Sequence, residues 1–297
     1  LINEFFEHIK DFSDLLEKFD SKYMVQGQLN SESLKFYEKI KDKRFMSVFS
    51  SRGCVARCTF CQRGQKGYRA YAPNDFEAYI TELREKYNVG GFILKDENFG
   101  SDKKQSYEIA RIMKKHDFFW LPEGVRCKSV NYEDLKFYKE HNMVSIKFGI
   151  ESGSQKILDI MEKKSNVEDI YNAISNCKKV GIITSPDAIM IGMPGETRET
   201  ILESATFIAS LRYLLEMNWN IANSFLAISL PGTPLYEYCQ QIGVIGETLD
   251  EEEDYLIRLC EEGSTTPILG YLNKTESSIK EVNYWIYLFH YVGLKAY

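Results

Sequence analysis

The sequence lacks several features that mark common protein classes. No apolar run reaches the roughly 18 residues that a membrane-spanning helix needs, and the start has no basic and apolar signal pattern. A basic excess is also missing, because 37 lysines and arginines stand against 43 aspartates and glutamates. This balance weighs against a general binder of nucleic-acid backbones, although it allows a local basic groove. We therefore expect a cytoplasmic protein with neither a membrane nor a nucleic acid as its partner.

Cysteine is present, but not in the pattern of a disulfide scaffold. The chain of 297 residues has seven cysteines, an odd number. Cys54, Cys58 and Cys61 lie within eight residues, with the spacing C-x3-C-x2-C. The other four are scattered singly: Cys127, Cys177, Cys239 and Cys260. A structural zinc site usually takes four ligands, often as two pairs, and no second pair is present. Cys127 or His116 could complete such a site, so zinc remains an alternative.

Apolar runs and helical stretches alternate along most of the chain. The apolar runs are residues 44–51, 91–95, 118–125, 143–150, 185–193 and 224–230. Amphipathic stretches lie between them, and their starts carry helix-capping signals such as Asn131 and Thr233-Pro234. Strands that alternate with helices indicate a parallel sheet, and six such units favour a barrel-like β/α array. An open doubly wound sheet is the alternative.

The chain divides into three predicted parts. Residues 1–44 are charged and helix-prone, which is typical of a linker or N-terminal extension. Residues 45–245 hold the six β/α units, and residues 246–297 form a C-terminal helical extension. Within the extension, the aromatic segment 281–294 is predicted to be a helix that covers the barrel. Because the chain starts with Leu1 rather than Met, we expect that a preceding domain has been removed.

Polar or glycine-containing segments follow all six predicted strands. They are Gly53-Cys54, Asp96-Glu97-Asn98, Arg126-Cys127, Glu151-Ser152-Gly153-Ser154, Pro194-Gly195-Glu196 and Pro231-Gly232-Thr233. In α/β barrels and open sheets, ligands bind at the carboxyl ends of the strands. The pattern therefore predicts one site that all six segments surround. Ordinary loop punctuation by glycine, proline and asparagine is the alternative for any single segment.

The cysteine cluster suits an iron–sulfur centre. Three thiolates in a tight loop can bind three irons of a 4Fe–4S cluster and leave the fourth iron open. The loop, with Phe60 just before its last cysteine, resembles the signature of the radical S-adenosylmethionine (SAM) enzymes. Five ordered segments carry the resemblance, which is closest to the cobalamin-associated branch and its methylthiotransferase-like neighbours. They are residues 51–64, 95–100, 149–164, 190–200 and 229–237.

The resemblance implies a partial (β/α)6 barrel of the TIM type with flanking helices, and two cofactors. In this family Cys54, Cys58 and Cys61 ligate a 4Fe–4S cluster, and SAM chelates the open iron. One-electron reduction then cleaves the sulfonium and yields a 5′-deoxyadenosyl radical. Phe60 resembles the aromatic residue that packs near adenine, with a core position as its alternative. The Gly192–Gly195 turn resembles the family's turn beside adenine.

The remaining cofactor-binding candidates follow from the same resemblance. Asp96 and Glu97 lie where the family places groups that meet the amino group of SAM, although Asp96 can instead cap a helix. Arg126 is a candidate for the SAM carboxylate, with an ion pair to Glu123 or Glu151 as its alternative. Glu151 matches a polar residue on the ribose or substrate. Ser152 beside it is also a candidate, with capping of the next helix as its alternative. No residue is assigned as catalytic.

Basic residues are dense around the cysteine loop. They are Arg52, Arg57, Arg63, Lys66 and Arg69. Such residues can raise a cluster's potential, receive an acidic electron donor such as flavodoxin or ferredoxin, or bind a phosphate-bearing substrate. A solvated loop is the alternative.

The resemblance predicts a SAM-cleaving domain of a cobalamin-associated methyltransferase or rearrangement enzyme. We expect a small molecule or natural-product precursor as its substrate. The chain has no Asp-x-His-x-x-Gly loop, so cobalamin would bind to an upstream domain outside this chain. Three alternatives remain: a cobalamin-independent isomerase or dehydrogenase, a methylthiotransferase-like enzyme, and a zinc-stabilised α/β binding protein. Scattered cysteines weigh against a second cluster, and the extra domains of methylthiotransferases are missing from the sequence.

Overall fold

Three parallel strands form the first part of the sheet. This computed structural model describes residues 44–62, 67–186, 188–217, 224–246, 248–261 and 271–295. The three strands lie in the order β1 (Arg44–Val48), β4 (Val89–Leu94) and β5 (Phe119–Pro122). β1 and β5 flank β4, which is almost entirely buried and apolar, as expected for a strand covered on both faces. Gly91 in β4 leaves space for the Phe45 ring, since a Cβ there would lie 2.3 Å from it.

The other elements follow the predicted alternation in part, and a short antiparallel pair of strands that the sequence does not predict precedes the first helix. The remaining strands are β2 (Ser51–Arg52), β3 (Arg69–Ala70), β6 (Ile189–Ile191) and β7 (Ser224–Leu226). The helices are α1 (Pro73–Tyr87), α2 (Lys103–Lys115), α3 (Tyr132–Glu140), α4 (Gln155–Ile160), α5 (Val167–Val180), α6 (Arg198–Leu214), α7 (Pro234–Gln241), α8 (Leu249–Glu261) and α9 (Ile279–Lys295). A short 3₁₀ turn, Cys127–Ser129, follows β5.

Single bridges extend the sheet from β5 to β6. Residues 143–151 run parallel to β5 through the Trp120–Met143 and Val125–Phe148 bridges. The Glu151–Ile189 bridge then joins this segment to β6, which pairs with β7 in parallel. Six parallel positions therefore follow one another, and the predicted partial (β/α)6 barrel is confirmed. The fourth apolar run differs from the prediction, because it forms isolated bridges to its two neighbours instead of a continuous ladder.

The predicted helix starts at Asn131 and Thr233 are confirmed. The Asn131 side chain accepts a hydrogen bond from the amide of Asp134, whose carboxylate accepts one from the Asn131 amide. Thr233 accepts a hydrogen bond from the amide of Tyr236, and Pro234 occupies the first helical position of α7.

The C-terminal helix α9 packs against α6 and β6. It buries Val282, Trp285 and Phe289 against the core and leaves Tyr284 and Tyr287 exposed. The helix predicted over 281–294 is therefore present and covers part of the barrel. The proposed linker lies almost wholly outside the described residues, so the three-part division of the chain stays a prediction. In the part of the chain that the structure describes, no helix is long and apolar enough to cross a bilayer.

Candidate functional site

The three clustered cysteines lie on the loop that follows β2. Cys54 is half-buried, Cys58 is buried and Cys61 is exposed, and none of them forms a disulfide. The amide of Cys61 donates a hydrogen bond to the carbonyl of Cys58 at 3.2 Å. Gly53, at φ 85°, starts the loop, and a Cβ there would lie 2.1 Å from the Gly67 carbonyl oxygen. Glycine is therefore required at the entry to the loop.

Thr59 holds this loop between two helices. Its amide donates to the carbonyl of Met161 at 3.0 Å, and its hydroxyl donates to the carbonyl of Ile160 at 3.1 Å. The amide of Leu235, in the first turn of α7, donates to the Thr59 carbonyl at 2.9 Å. The end of α4 and the start of α7 thus fix the middle of the cysteine loop.

Phe60 lies at an apolar contact between the loop and the barrel. It packs against a small buried cluster formed by Ile157, Met161, Met193, Ala227 and Leu235. Met193 belongs to the Gly192–Gly195 turn, so the structure brings together two of the features that the resemblance places near adenine. The ring is only partly buried, and Lys163 Nζ lies 5.8 Å from its centroid.

Asp96 is buried at the end of β4 and holds the chain that leads into the cysteine loop. It accepts hydrogen bonds from the amides of Ser50 and Ser51 at 2.7 and 3.2 Å, and from their hydroxyls at 2.5 and 2.7 Å. These four donors satisfy both carboxylate oxygens. The helix-capping alternative for Asp96 is wrong, because Asp102 caps α2 through the amide of Gln105.

The two residues after Asp96 differ in their surroundings. Glu97 is exposed, and its Oε1 accepts a hydrogen bond from the amide of Gly53 at 3.2 Å. Its carboxylate therefore lies beside the start of the cysteine loop. Asn98 is buried, and its Oδ1 has no hydrogen-bond partner among the residues that the structure describes. Such a buried polar atom is rare in folded proteins, and it marks this strand end as a place where a ligand could bind.

Glu151 and Lys163 form an ion pair beside the cysteine loop. Lys163 Nζ lies 2.9 Å from Glu151 Oε1, and the side chains are 8% and 16% exposed, respectively. Gly149 leaves the space for this pair, since a Cβ there would lie 2.7 Å from Glu151 Oε1. Lys163 is the residue that the sequence analysis missed. It lies within the matching segment 149–164, but no pattern of residues assigns it a role.

Arg126 contacts the cysteine loop directly. Its Nη1 lies 3.5 Å from the sulfur of Cys58, and its Nη2 donates a hydrogen bond to the carbonyl of Lys163. The alternative ion pairs of Arg126 with Glu123 or Glu151 are not the ones that form. Glu123 pairs with Lys95 and Lys147, and Glu151 pairs with Lys163.

Ser152 is fully buried and serves local packing. Its hydroxyl lies 3.1 Å from that of Ser204 on α6 and accepts a hydrogen bond from the amide of Ser154. The structure therefore does not direct this hydroxyl toward the cysteine loop, in contrast to the role expected from the resemblance. Ser154 occupies the N-cap position of α4 but bonds Glu203 instead of a helix amide.

Charge and burial distinguish the cysteines. Although the residue Cys61 is exposed, the protein partly removes water from its sulfur, and this desolvation is the main cause that raises its pKa. The neighbouring sulfurs of Cys58 and Cys54 raise the pKa further, while Lys163 lowers it. A cation bound among the three sulfurs would relieve this repulsion. Burial also raises the pKa of Cys127 to about 12, which keeps that thiol protonated and inert.

The residues present suit a four-iron cluster better than a single ion. Within the described residues, no three His, Cys, Asp or Glu side chains converge closely enough for one metal ion. His116 is not beside the cysteines, because its ring contacts Glu77 on α1. In a 4Fe–4S cluster each thiolate binds a different iron, so the three sulfurs need not meet at one bond length.

The basic residues around the loop are exposed where the structure describes them. Arg52 is stacked on Phe49, with its guanidinium carbon 3.5 Å from the ring centroid, and Arg57 and Arg69 also lie at the surface. Arg63 and Lys66 lie outside the described residues.

Comparison with known families agrees with this geometry. The model of the Radical SAM superfamily matches residues 48–208, more than half of the chain. The chain belongs to the radical SAM superfamily. The family prediction made from the cysteine loop is therefore confirmed, and the chain is an enzyme of the radical SAM type. The family implies a 4Fe–4S cluster and SAM as cofactors.

Individual relatives of this radical SAM chain are longer proteins. The chain is 29% identical over 211 residues to a cytidylyl-2-hydroxyethylphosphonate methyltransferase from Streptomyces wedmorensis, covering 68% of this chain and 39% of the relative. It is 29% identical over 196 residues to an anaerobic magnesium-protoporphyrin IX monomethyl ester cyclase from Cereibacter sphaeroides, covering 63% and 31%. The chain thus spans less than half the length of either relative.

A solved structure shares the fold. The radical SAM methyltransferase TsrM from Kitasatospora setae, solved with cobalamin and a [4Fe-4S] cluster, superposes with a TM-score of 0.55 at 16% identity. The match covers 72% of this chain and 39% of TsrM. At this identity the likeness supports the barrel fold.

Proposed function

We propose that this chain is the SAM-cleaving part of a methyltransferase or radical rearrangement enzyme. The observation that carries the proposal is the cysteine loop, which Thr59 fixes to α4 and α7 and which Arg126, Lys163 and Glu97 surround. Three clustered thiols that form no disulfide can bind three irons of a 4Fe–4S cluster and leave the fourth iron open.

In this proposal Cys54, Cys58 and Cys61 hold a 4Fe–4S cluster as thiolates. When bound and reduced, the cluster supplies the single electron that cleaves SAM into methionine and a 5′-deoxyadenosyl radical. Asp96 positions the loop through Ser50 and Ser51, so we assign it to the support of the cluster instead of to direct contact with SAM.

The groups around the loop can bind the polar parts of SAM. Glu97 is exposed beside Gly53, where its carboxylate can pair with the ammonium group of the methionine moiety. Lys163 and Arg126 supply positive charge for the methionine carboxylate, and Glu151 can accept from the ribose hydroxyls. Phe60 and the neighbouring turn at Met193 offer an apolar surface for adenine.

The relatives support a methyl-transfer or ring-forming reaction on a small molecule. One relative is a methyltransferase of a nucleotide-linked phosphonate and another is a cyclase of a porphyrin ester. Cobalamin, which TsrM binds, would be held by a domain outside this chain. We further propose a cytoplasmic location, and an acidic electron donor such as flavodoxin or ferredoxin that docks near Arg52 and Arg57.

Anaerobic reconstitution with iron and sulfide tests the cluster. The wild-type chain is expected to bind about four irons and four sulfides per chain. Cys58→Ala is expected to lose most of this iron, whereas Cys127→Ala, which truncates a buried thiol that is not part of the three-cysteine motif, is expected to retain it. Equal iron contents in the two variants would contradict the proposed ligands.

Product analysis separates the reaction classes. Hydrogen abstraction yields 5′-deoxyadenosine, and methyl transfer through added cobalamin also yields S-adenosylhomocysteine. Because cobalamin would bind outside this chain, this measurement needs the chain together with the proposed cobalamin-binding domain. If that longer protein makes only 5′-deoxyadenosine in the presence of cobalamin, the isomerase or dehydrogenase alternative is favoured.

A further inference from the structure

Arg126 is placed to act on a cluster sulfur. Its Nη1 lies 3.5 Å from Cys58 Sγ, and Cys58 is only 7% exposed, so little water competes for the sulfur. A hydrogen bond from a charged donor to a thiolate is stronger than one from a neutral donor. The second nitrogen of the guanidinium, Nη2, is bonded to the carbonyl of Lys163, which fixes the direction of the first.

Lys163 brings a second positive charge to the same place. It is buried, and its Nζ lies over the ring of Phe60, the residue next to Cys61. Glu151 accepts a hydrogen bond from this ammonium group at 2.9 Å and offsets part of its charge. The chain thus places two cations and one carboxylate around the thiol-bearing loop.

The backbone around Lys163 is held in an unusual conformation. Glu162 and Lys164 on either side have φ values of 49° and 54°, in the left-handed region that non-glycine residues rarely adopt. Such backbone persists only where surrounding contacts fix it, and it is concentrated at functional sites. Here it turns the Lys163 carbonyl toward Arg126 while the side chain reaches Glu151.

We infer that Arg126 and Lys163 raise the reduction potential of the cluster, and that Glu151 limits this effect. A 4Fe–4S cluster on three thiolates becomes more negative when it takes up one electron. Positive charge and hydrogen bonds to its sulfurs therefore stabilise the reduced form more than the oxidised form. The inference rests on the proposed function, because it requires a cluster on Cys54, Cys58 and Cys61.

A redox titration of the reconstituted chain without SAM tests the inference. Dithionite supplies the electron in the presence of mediators, and electron paramagnetic resonance reports the reduced cluster. Arg126→Gln and Lys163→Gln are each expected to lower the midpoint potential, and Glu151→Gln is expected to raise it. Arg126→Lys is expected to retain part of the wild-type value, because it keeps the charge but loses the paired donors.

Matched variants control for the loss of a surface charge. Lys128→Gln removes a cation two residues from Arg126, and Lys156→Gln removes one on α4; both lysines are exposed. Neither change is expected to move the potential. If Arg126→Gln does not fold, the opposite shifts expected for Lys163→Gln and Glu151→Gln still decide the question.

Two results would overturn the inference in different ways. If the wild-type chain binds no cluster, the proposed function fails and the inference fails with it. If all variants bind four irons and have the same midpoint potential as the wild-type and Lys128→Gln chains, the cluster is present and the inference alone is wrong.

Discussion

Asp96 is a buried carboxylate that holds the chain leading into the cysteine loop. It is buried with four donors from Ser50 and Ser51, directly before the chain enters the cysteine loop. Hydrogen bonds to a charged group each contribute about 1.5–3 kcal/mol. The position of the cysteines therefore depends on this residue as well as on the thiols themselves.

Asp96→Asn is expected to destabilise the chain by about 1–3 kcal/mol and to lower its iron content after reconstitution, because the amide nitrogen cannot accept hydrogen bonds. Urea unfolding and iron analysis measure the two effects. Asp102→Asn is the control, since asparagine caps a helix as well as aspartate does, and α2 should keep its stability. Equal effects of the two substitutions would contradict the role given to Asp96.

Glu196 is a second buried carboxylate, and it makes stability depend on pH. Burial raises its pKa to about 7, although the amides of Gly192 and Met193 donate to it and partly offset the burial. Because the folded chain keeps this proton longer than the unfolded chain, the contribution of Glu196 is fully present below about pH 4.5. It is lost as the pH rises toward 7.

We expect the wild-type chain to lose stability relative to Glu196→Gln between about pH 4.5 and 7, by an amount on the order of 3 kcal/mol. Glutamine keeps an acceptor for the two amides but does not titrate. Urea unfolding of both proteins across this range measures the difference. Parallel pH curves for the two proteins would show that Glu196 is not responsible.

The strands and helices differ in how far the sequence determines them. β4 is predicted by its apolar residues, and the start of α3 is predicted by Asn131, because both signals are local. The 143–151 segment is predicted as a strand but forms only separate bridges, since its pairing depends on two distant neighbours.

Gly91→Ala tests the close packing of β1 against β4. The added Cβ would lie 2.3 Å from the Phe45 ring, so the ring or the strands must move. We expect a loss of about 1–3 kcal/mol, which is typical of overpacking. Phe45→Ala opens the space, so the double variant should be more stable than the sum of the two single effects predicts. Additive effects measured by urea unfolding would contradict this contact.

At the scale of the whole molecule, the family could be read from the sequence and several residue contacts could not. The C-x3-C-x2-C spacing and Phe60 form a local motif, so they can be recognised without knowledge of the fold. Lys163 reaches Glu151 only because the chain turns through two left-handed residues, which no local pattern predicts. The contacts of Asp96 with Ser50 and Ser51 could not be predicted either, because a carboxylate at a strand end gives the same sequence pattern whether it faces a ligand or a neighbouring loop.

The described barrel holds the proposed cluster loop and SAM-binding groups in one chain, while the relatives are more than twice as long as the matched region. The substrate and the use of cobalamin therefore stay proposals. The residues that we propose for the cluster and for SAM all lie on this chain, so the proposal predicts that the chain cleaves SAM by itself. This cleavage can be measured without knowledge of the substrate.

The most direct test of the account is the formation of 5′-deoxyadenosine from SAM by the reconstituted chain under anaerobic reduction. Wild-type and Cys127→Ala chains are expected to form it together with methionine in equal amounts, because both keep Cys54, Cys58 and Cys61. Cys58→Ala is expected to form none above the level without protein. If Cys58→Ala is as active as the wild type, or the wild type holds four irons yet cleaves no SAM, the account is wrong.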